Sequence, residues 1–306
     1  MCKGSHWGYA ALGTVKKLIK ENQYDYVLTK GETAVPLGDY AKRKGLKWVA
    51  TWNDPCPSSK YPEPYGFGIN GKTSFADKVV IKMMRRADAH IFPSERLAKY
   101  MEPIVQAPSD EVFIIPHVVI KDERNSGSGE TLRLIHSGNL YSPRSPKTFF
   151  EGLKKFIEKN DTPAIRFSIL GCISDEDKQL VDEFGLENYV ECLKPVEYHK
   201  SLQELNNHDV AVIIEAKCEE GIYLPTKVSD FMQMQIPIFS VSPATGMLND
   251  LYNNHNIPYF ADVASPDNIA LALENVYRDH QNGNIKRNTI PEYYLPDYIT
   301  EKYLSF

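Results

Sequence analysis

Residues 210–241 read VAVIIEAKCEEGIYLPTKVSDFMQMQIPIFSV. The stretch opens on five consecutive apolar residues, Val210 to Ile214, and ends on a second apolar run, Pro237 to Val241. Between them lie a polar, glycine-containing loop and a segment with helical spacing, residues 226–234. Continuous apolar runs separated by a helix are the mark of parallel strands covered on both faces, because such strands must shed water on either side. This one unit predicts an α/β fold with doubly wound, Rossmann-like parallel sheets.

The same alternation runs outward in both directions. Downstream, a helix is expected near 245–253, a strand at Tyr259-Phe260 and a helix over 266–279. Upstream, strands are expected at 132–135, 167–170 and 189–193, with helices over 146–159, 174–183 and 198–206. Residues 121–130, KDERNSGSGE, hold no apolar side chain and read as a linker. Before it lie helices over 8–21, 33–44 and 74–86, a helix capped by Ser94, and strands at 26–28, 48–50, 89–92 and 112–115. A long proline-rich loop occupies residues 54–70. The organisation expected is thus a partial N-terminal domain over 1–120, the linker 121–130, and a complete second domain over 131–284. Residues 285–306, with Tyr293, Tyr294, Tyr298 and Tyr303, are expected to cross back to the first domain. The first half begins on a helix and shows only about four strands, as though opening strand–helix units were missing; that would leave a sheet edge exposed.

Bulk properties narrow the function. With 35 basic against 40 acidic residues and a net charge of -5, the chain has no overall attraction for nucleic acid. Lys82, Arg85 and Arg86 form a small local basic patch that also suits a solvated helix face. The five cysteines, Cys2, Cys56, Cys172, Cys192 and Cys218, are scattered and contain no CxxC pair, which argues against a disulfide framework or zinc site and fits a reducing, cytoplasmic compartment. No apolar run reaches membrane-spanning length.

Ligands of open parallel sheets bind outside the strands' carboxyl ends. The loop after the 132–135 strand, Ser137-Gly138-Asn139-Leu140-Tyr141-Ser142-Pro143-Arg144, combines a glycine with a basic residue just ahead of a helix, which suits phosphate; a turn with a solvent-facing arginine fits equally. In the 215–230 loop, Gly221 followed by Pro225-Thr226 at a helix start resembles a second phosphate cradle, and Asp230 stands where a carboxylate could take ribose hydroxyls. Glu219 and Glu220 also read as an acidic loop capping a helix. In the first half, Trp52-Asn53-Asp54-Pro55 follows a strand; Asp54 could take a proton from an acceptor or simply start a turn. Tyr61, Tyr65 and Phe67 could stack on a sugar or pack the loop, and His90, His117 and His136 read as structural.

Taken in order, these segments resemble the donor half of retaining GT-B glycosyltransferases of the family 4 group. Gly138 with Arg144, then Glu220-Gly221-Ile222-Tyr223-Leu224-Pro225, then Asp230 seven residues before Pro237 follow that family's pattern. Asn139 departs from it, since arginine is usual there, and Glu220 and Asp230 stand ten apart rather than eight. The resemblance implies two Rossmann-like domains facing a cleft, the N-terminal one incomplete. It implies a hexosyltransferase of polysaccharide biosynthesis that moves a sugar from a nucleoside-diphosphate donor to a glycan or lipid-linked acceptor, without metal or other cofactor, and leaves room for peripheral membrane association. Under it, Asp54 and Glu220 are the catalytic candidates; Gly138, Arg144, Gly221, Thr226, Lys227 and Asp230 bind the donor. The alternatives are a non-catalytic nucleotide- or sugar-binding protein of the same fold and, further off, a sugar-nucleotide epimerase.

Overall fold

The computed structural model describes residues 5–120 and 129–306, so most of the expected linker, residues 121–128, lies outside the described residues. Contacts divide the chain into two compact units. One holds residues 1–117, 222–224 and 297–306; the other holds 118–221 and 225–296.

In the first unit, α1 (Ser5–Glu21) precedes β1 (Tyr26–Lys30), α2 (Val35–Arg43), β2 (Lys47–Thr51), α3 (Phe75–Met84), β3 (Ala89–Phe92), α4 (Glu95–Val105) and β4 (Val112–Ile114). The strands pair in parallel in the order β1-β2-β3-β4. Two helix starts follow from local chemistry. Ser94 Oγ accepts from Leu97 N at 3.2 Å, and Ser74 with Asp77 forms a reciprocal capping box. The core gathers Val35, Trp48, Trp52, Met84, Phe92 and Met101. Trp48 Nε1 donates to Thr29 Oγ1 at 2.8 Å, and Asp88 Oδ2 receives Trp48 N at 2.7 Å while pairing with Lys42. β1 is an edge strand whose Tyr26 and Leu28 are exposed. The patch of Lys82, Arg85 and Arg86 is divided: Arg86 pairs with the buried Asp39 at 2.9 Å and Arg85 Nε donates to Ile104 O at 2.7 Å.

The second unit runs β5 (Leu132–Ser137), α5 (Lys147–Asn160), β6 (Ile165–Leu170), α6 (Asp175–Glu183), β7 (Val190–Leu193), α7 (Tyr198–Leu205), β8 (Val210–Ile214), α8 (Lys227–Gln233), β9 (Ile238–Ser242), α9 (Met247–Asn253), β10 (Tyr259–Asp262) and α10 (Pro266–Gln281). Its six strands, all parallel, lie in the order β10-β9-β8-β5-β6-β7. Every residue of β8 and β9 is buried; β8 is apolar throughout, and in β9 the hydroxyls of Ser240 and Ser242 pair with each other at 2.9 Å. The chain winds outward from β5 through β6 to β7, then returns to β8 beside β5 and winds the other way, so the reversal lies between β5 and β8.

Past α10, Asn288 holds residues 285–296 to the second unit by accepting from Ile238 N and donating to Ile236 O. The last helix, α11 (Pro296–Leu304), belongs to the first unit from Asp297 on, where Ile299 packs with Val49, Ala89, Ile91 and Ile115.

Gly38 of α2 supports Trp48: a Cβ on it would stand 2.1 Å from the indole. All three tryptophans, Trp7, Trp48 and Trp52, lie in the first unit, so tryptophan fluorescence reads that unit's unfolding. Gly38→Ala is expected to lower its stability by about 3 kcal/mol through overpacking. An unchanged fluorescence-detected urea midpoint would show that α2 moves aside freely.

Candidate functional site

The sheet reversal sets the carboxyl ends of β5 and β8 side by side, and their two loops deliver the expected residues of the second unit to one place. Gly138 leaves β5 with φ +129° and donates its N–H to Leu170 O at 2.8 Å. Its missing side chain makes room twice. A Cβ there would stand 2.7 Å from Lys227 Nζ, and a Cβ on Gly171, at the end of β6, would stand 2.3 Å from Gly138 O. The ammonium of Lys227 thus rests on the bare backbone of the β5 loop, which only glycine at 138 permits.

Lys227 is half-buried, and burial pushes its ammonium down to about 8; the carboxylates of Glu215 and Asp230 oppose that fall while Arg144 adds to it. Arg144 Nε donates to Glu215 Oε2 at 3.1 Å, with side chains 22% and 11% exposed, and its guanidinium lies 5.8 Å from the Tyr141 ring centre. Asp230, on α8, accepts from the Tyr198 hydroxyl at 2.8 Å through Oδ1. That phenol is raised to about 12 by burial and by Asp230. Beneath the cluster His136 is fully buried in β5, its Nδ1 3.1 Å from Val212 O; burial first, then the Lys227 charge, hold it neutral. The result is two cations flanked by two carboxylates over a glycine turn, at the position where open parallel sheets bind ligands.

Gly138, Arg144, Lys227 and Asp230 therefore come together, while other expected residues do not join them in the same way. Gly221 departs from its expected part as a phosphate donor: its N–H is already given to Thr245 O at 2.9 Å and its carbonyl receives Met247 N at 2.8 Å, because it packs against Gly246. Thr226 precedes α8 exposed, without a side-chain cap. Glu220 has an exposed side chain, and its carbonyl receives Cys218 Sγ. Asn139 spends its side chain on structure, accepting Cys172 N at 2.9 Å.

Asp54 belongs to the first unit and is exposed. Near it Tyr223, also of that unit, packs edge-on against Tyr65 at 5.3 Å and Tyr61 at 6.4 Å. Burial and then the Asp54 charge raise the Tyr223 phenol. His90 is a core residue, as expected: Trp52 Nε1 donates to its Nδ1 at 3.1 Å, and burial lowers it to about 4.

Neither Glu215 nor Tyr198 stands out in the sequence. Glu215 is the first polar residue after an all-apolar strand, which places a carboxylate at a carboxyl end; that was the available signal. Tyr198 offered none.

Residues 2–123 match the family model described as Glycosyltransferase Family 4. No curated protein matches the chain in sequence. Among solved structures, the chain is similar to a mutant of S. aureus TarM in complex with Fondaparinux, alpha-GlcNAc-glycerol and UDP, at 16% identity and TM-score 0.64, over 95% of this chain and 57% of that one. It is also similar to the lipopolysaccharide outer core galactosyltransferase WaaB, at 12% identity and TM-score 0.65, over 97% and 79% of the two chains. A third likeness is to the alpha,alpha-trehalose 6-phosphate synthase of Burkholderia multivorans, at 9% identity and TM-score 0.65, over 98% and 75%. The chain thus spans little more than half the length of TarM.

The lowered Lys227 yields a pH dependence. A bound phosphate anion favours the ammonium form, so its pKa rises on binding and a proton is taken up wherever the pH exceeds about 8. Affinity for sulfate, whose own charge is fixed in this range, should be flat at lower pH and fall as pH rises through 8, by up to about tenfold per unit. Lys227→Met should bind more weakly and lose this fall. Calorimetry across pH checks both, and an identical pH profile in the variant would remove Lys227 from the anion site.

Proposed function

We propose that this chain, which carries the GT-B fold and matches the Glycosyltransferase Family 4 model in its first 123 residues, is a retaining glycosyltransferase using a nucleoside-diphosphate sugar. The observation that carries the reading is the placement of Lys227 on Gly138, with Arg144, Glu215 and Asp230 close enough to act on its charge, at the switch point of the second sheet. The bond from the sugar's anomeric carbon to the diphosphate breaks, the acceptor oxygen bonds to that carbon, and the acceptor's proton leaves with a base. Charge builds on the departing diphosphate, and cations fixed beforehand stabilise it without reorganising. Lys227 and Arg144 take this role, which a metal would otherwise fill. Asp230 exchanges the Tyr198 hydroxyl for those of the ribose, an equivalent O–H···O bond. Glu220 is assigned to the sugar and Asp54 to the acceptor, a hydroxyl of a glycan or lipid-linked glycan. The UDP held in the TarM complex supports a nucleoside diphosphate as the common ligand.

A second reading, a nucleotide-binding protein without transfer, is favoured by Arg144 being already paired with Glu215. Turnover of donor separates the two.

Calorimetric titration with UDP and with GDP tests the donor site. Micromolar binding of one of them is expected, falling about tenfold or more in Arg144→Ala and in Asp230→Ala, each of which removes a charged hydrogen-bonding partner. Failure of both nucleotides to bind, or variants that bind like the parent, would sink the donor site.

A further inference from the structure

The helix α7 is fastened unevenly. At its C-terminal end Leu205 is buried. The turn beyond it is held by His208, whose Nδ1 lies 2.8 Å from Glu204 O and whose Nε2 lies 2.9 Å from Ser168 Oγ of β6. At the other end every residue from Lys194 to Lys200 is exposed, Tyr198 at 54%. Glu197 stands at the N-cap without a side-chain cap bond, so local chemistry does not close the first turn. The helix has eight residues and buries Leu205 among them, well short of the length at which a helix holds itself in water.

The exposed end is tied across to α8 by the Tyr198 hydroxyl, which donates to Asp230 Oδ1 at 2.8 Å. Its other neighbours lie on its own helix: Ser201 Oγ donates to Tyr198 O at 2.7 Å, and the His199 ring stands edge-on at 5.8 Å. Asp230 is also the carboxylate assigned above to the ribose, so the same oxygen has two claimants. The phenol brings one O–H, whereas a ribose diol brings two, enough to engage both oxygens of a carboxylate. Inorganic pyrophosphate has no hydroxyl to offer and leaves Asp230 to Tyr198.

We propose that Tyr198 is a specificity-determining latch: it holds the ribose carboxylate until a nucleotide's ribose diol, but not a bare diphosphate, displaces it and frees the start of α7. This rests on the donor-site reading above and adds to it a competitor built into the chain. The latch weakens every ligand that needs Asp230 by the strength of the Tyr198 bond, and leaves ligands that bind the cations alone untouched. It also couples the ribose to the backbone. A bound ligand ordinarily protects the chain beside it from opening; at the start of α7 a nucleotide does the reverse, because it removes the tie that keeps a short, exposed, uncapped turn in place.

Tyr198→Phe removes the hydroxyl and keeps the exposed ring, so it tests the latch without touching the core. Calorimetry near neutral pH with UDP, GDP and pyrophosphate should show a nucleotide binding the variant about three- to tenfold more tightly than the parent, while pyrophosphate binds both alike. Hydrogen exchange over residues 195–205 should be faster in the variant than in the parent before any addition, and saturating nucleotide should bring the parent up to the variant's rate. A nucleotide that binds the parent but binds the variant equally or more weakly would overturn the latch and leave the donor site standing, as would protection of 195–205 by that nucleotide. Pyrophosphate tightening by the same factor would also overturn it, making Tyr198 a general obstruction. Binding of neither nucleotide to either protein would overturn both the latch and the donor-site reading.

Discussion

The second unit depends on an absence: neither Gly138 nor Gly171 has a Cβ. The β5 loop passes so close to the end of β6 that a methyl group on Gly171 would collide with the Gly138 carbonyl, and one on Gly138 would meet the Lys227 ammonium. Closing that gap lets Gly138 N–H reach Leu170 O and Leu140 N–H reach Cys172 O, which fixes the loop's course before Arg144 appears. Leu140 is then buried, and the chain enters α5 with Phe149 and Phe150 in the core. A larger residue at Gly171 would push the loop outward, and one at Gly138 would displace the Lys227 ammonium.

That floor has an electrostatic consequence. Lys227 is held where burial disfavours its charge, and the one carboxylate placed to compensate it best, Glu215, is already shared with Arg144. The site therefore has more capacity for negative charge than its own residues satisfy. His136 beneath it stays neutral, first because it is buried and then because the Lys227 charge repels a further cation.

Much of this architecture was legible because strand and helix periods report burial directly. β8 declared itself as an unbroken apolar run, β9 as a mainly apolar one after Pro237, and Ser94 marked the start of α4. Gly138 and Arg144 could be picked out because they follow the carboxyl end of a strand and Asp230 because it opens a helix there, whereas Lys227 came from the family resemblance alone. The contacts that tune them were not legible. Glu215 meets Arg144 across 71 residues and Tyr198 meets Asp230 across 32, and no local pattern encodes such pairs. Lys82, Arg85 and Arg86 show the converse failure: adjacency in sequence suggested one patch, whereas Asp39 and Ile104 draw two of the three into structural bonds.

The hexapeptide Glu220-Gly221-Ile222-Tyr223-Leu224-Pro225 shows why a motif is more than its ligand contacts. Gly221 locks backbone to backbone with Gly246, while Ile222 to Leu224 belong to the first unit. There Ile222 is buried in the core, its carbonyl receives Ser94 Oγ at 3.3 Å, and Tyr223 packs among Tyr61 and Tyr65. Ser94 thus both caps α4 and ties down the returning chain. The apolar positions of the motif are explained by burial and its glycine by close backbone approach. Glu220, at its start, is exposed.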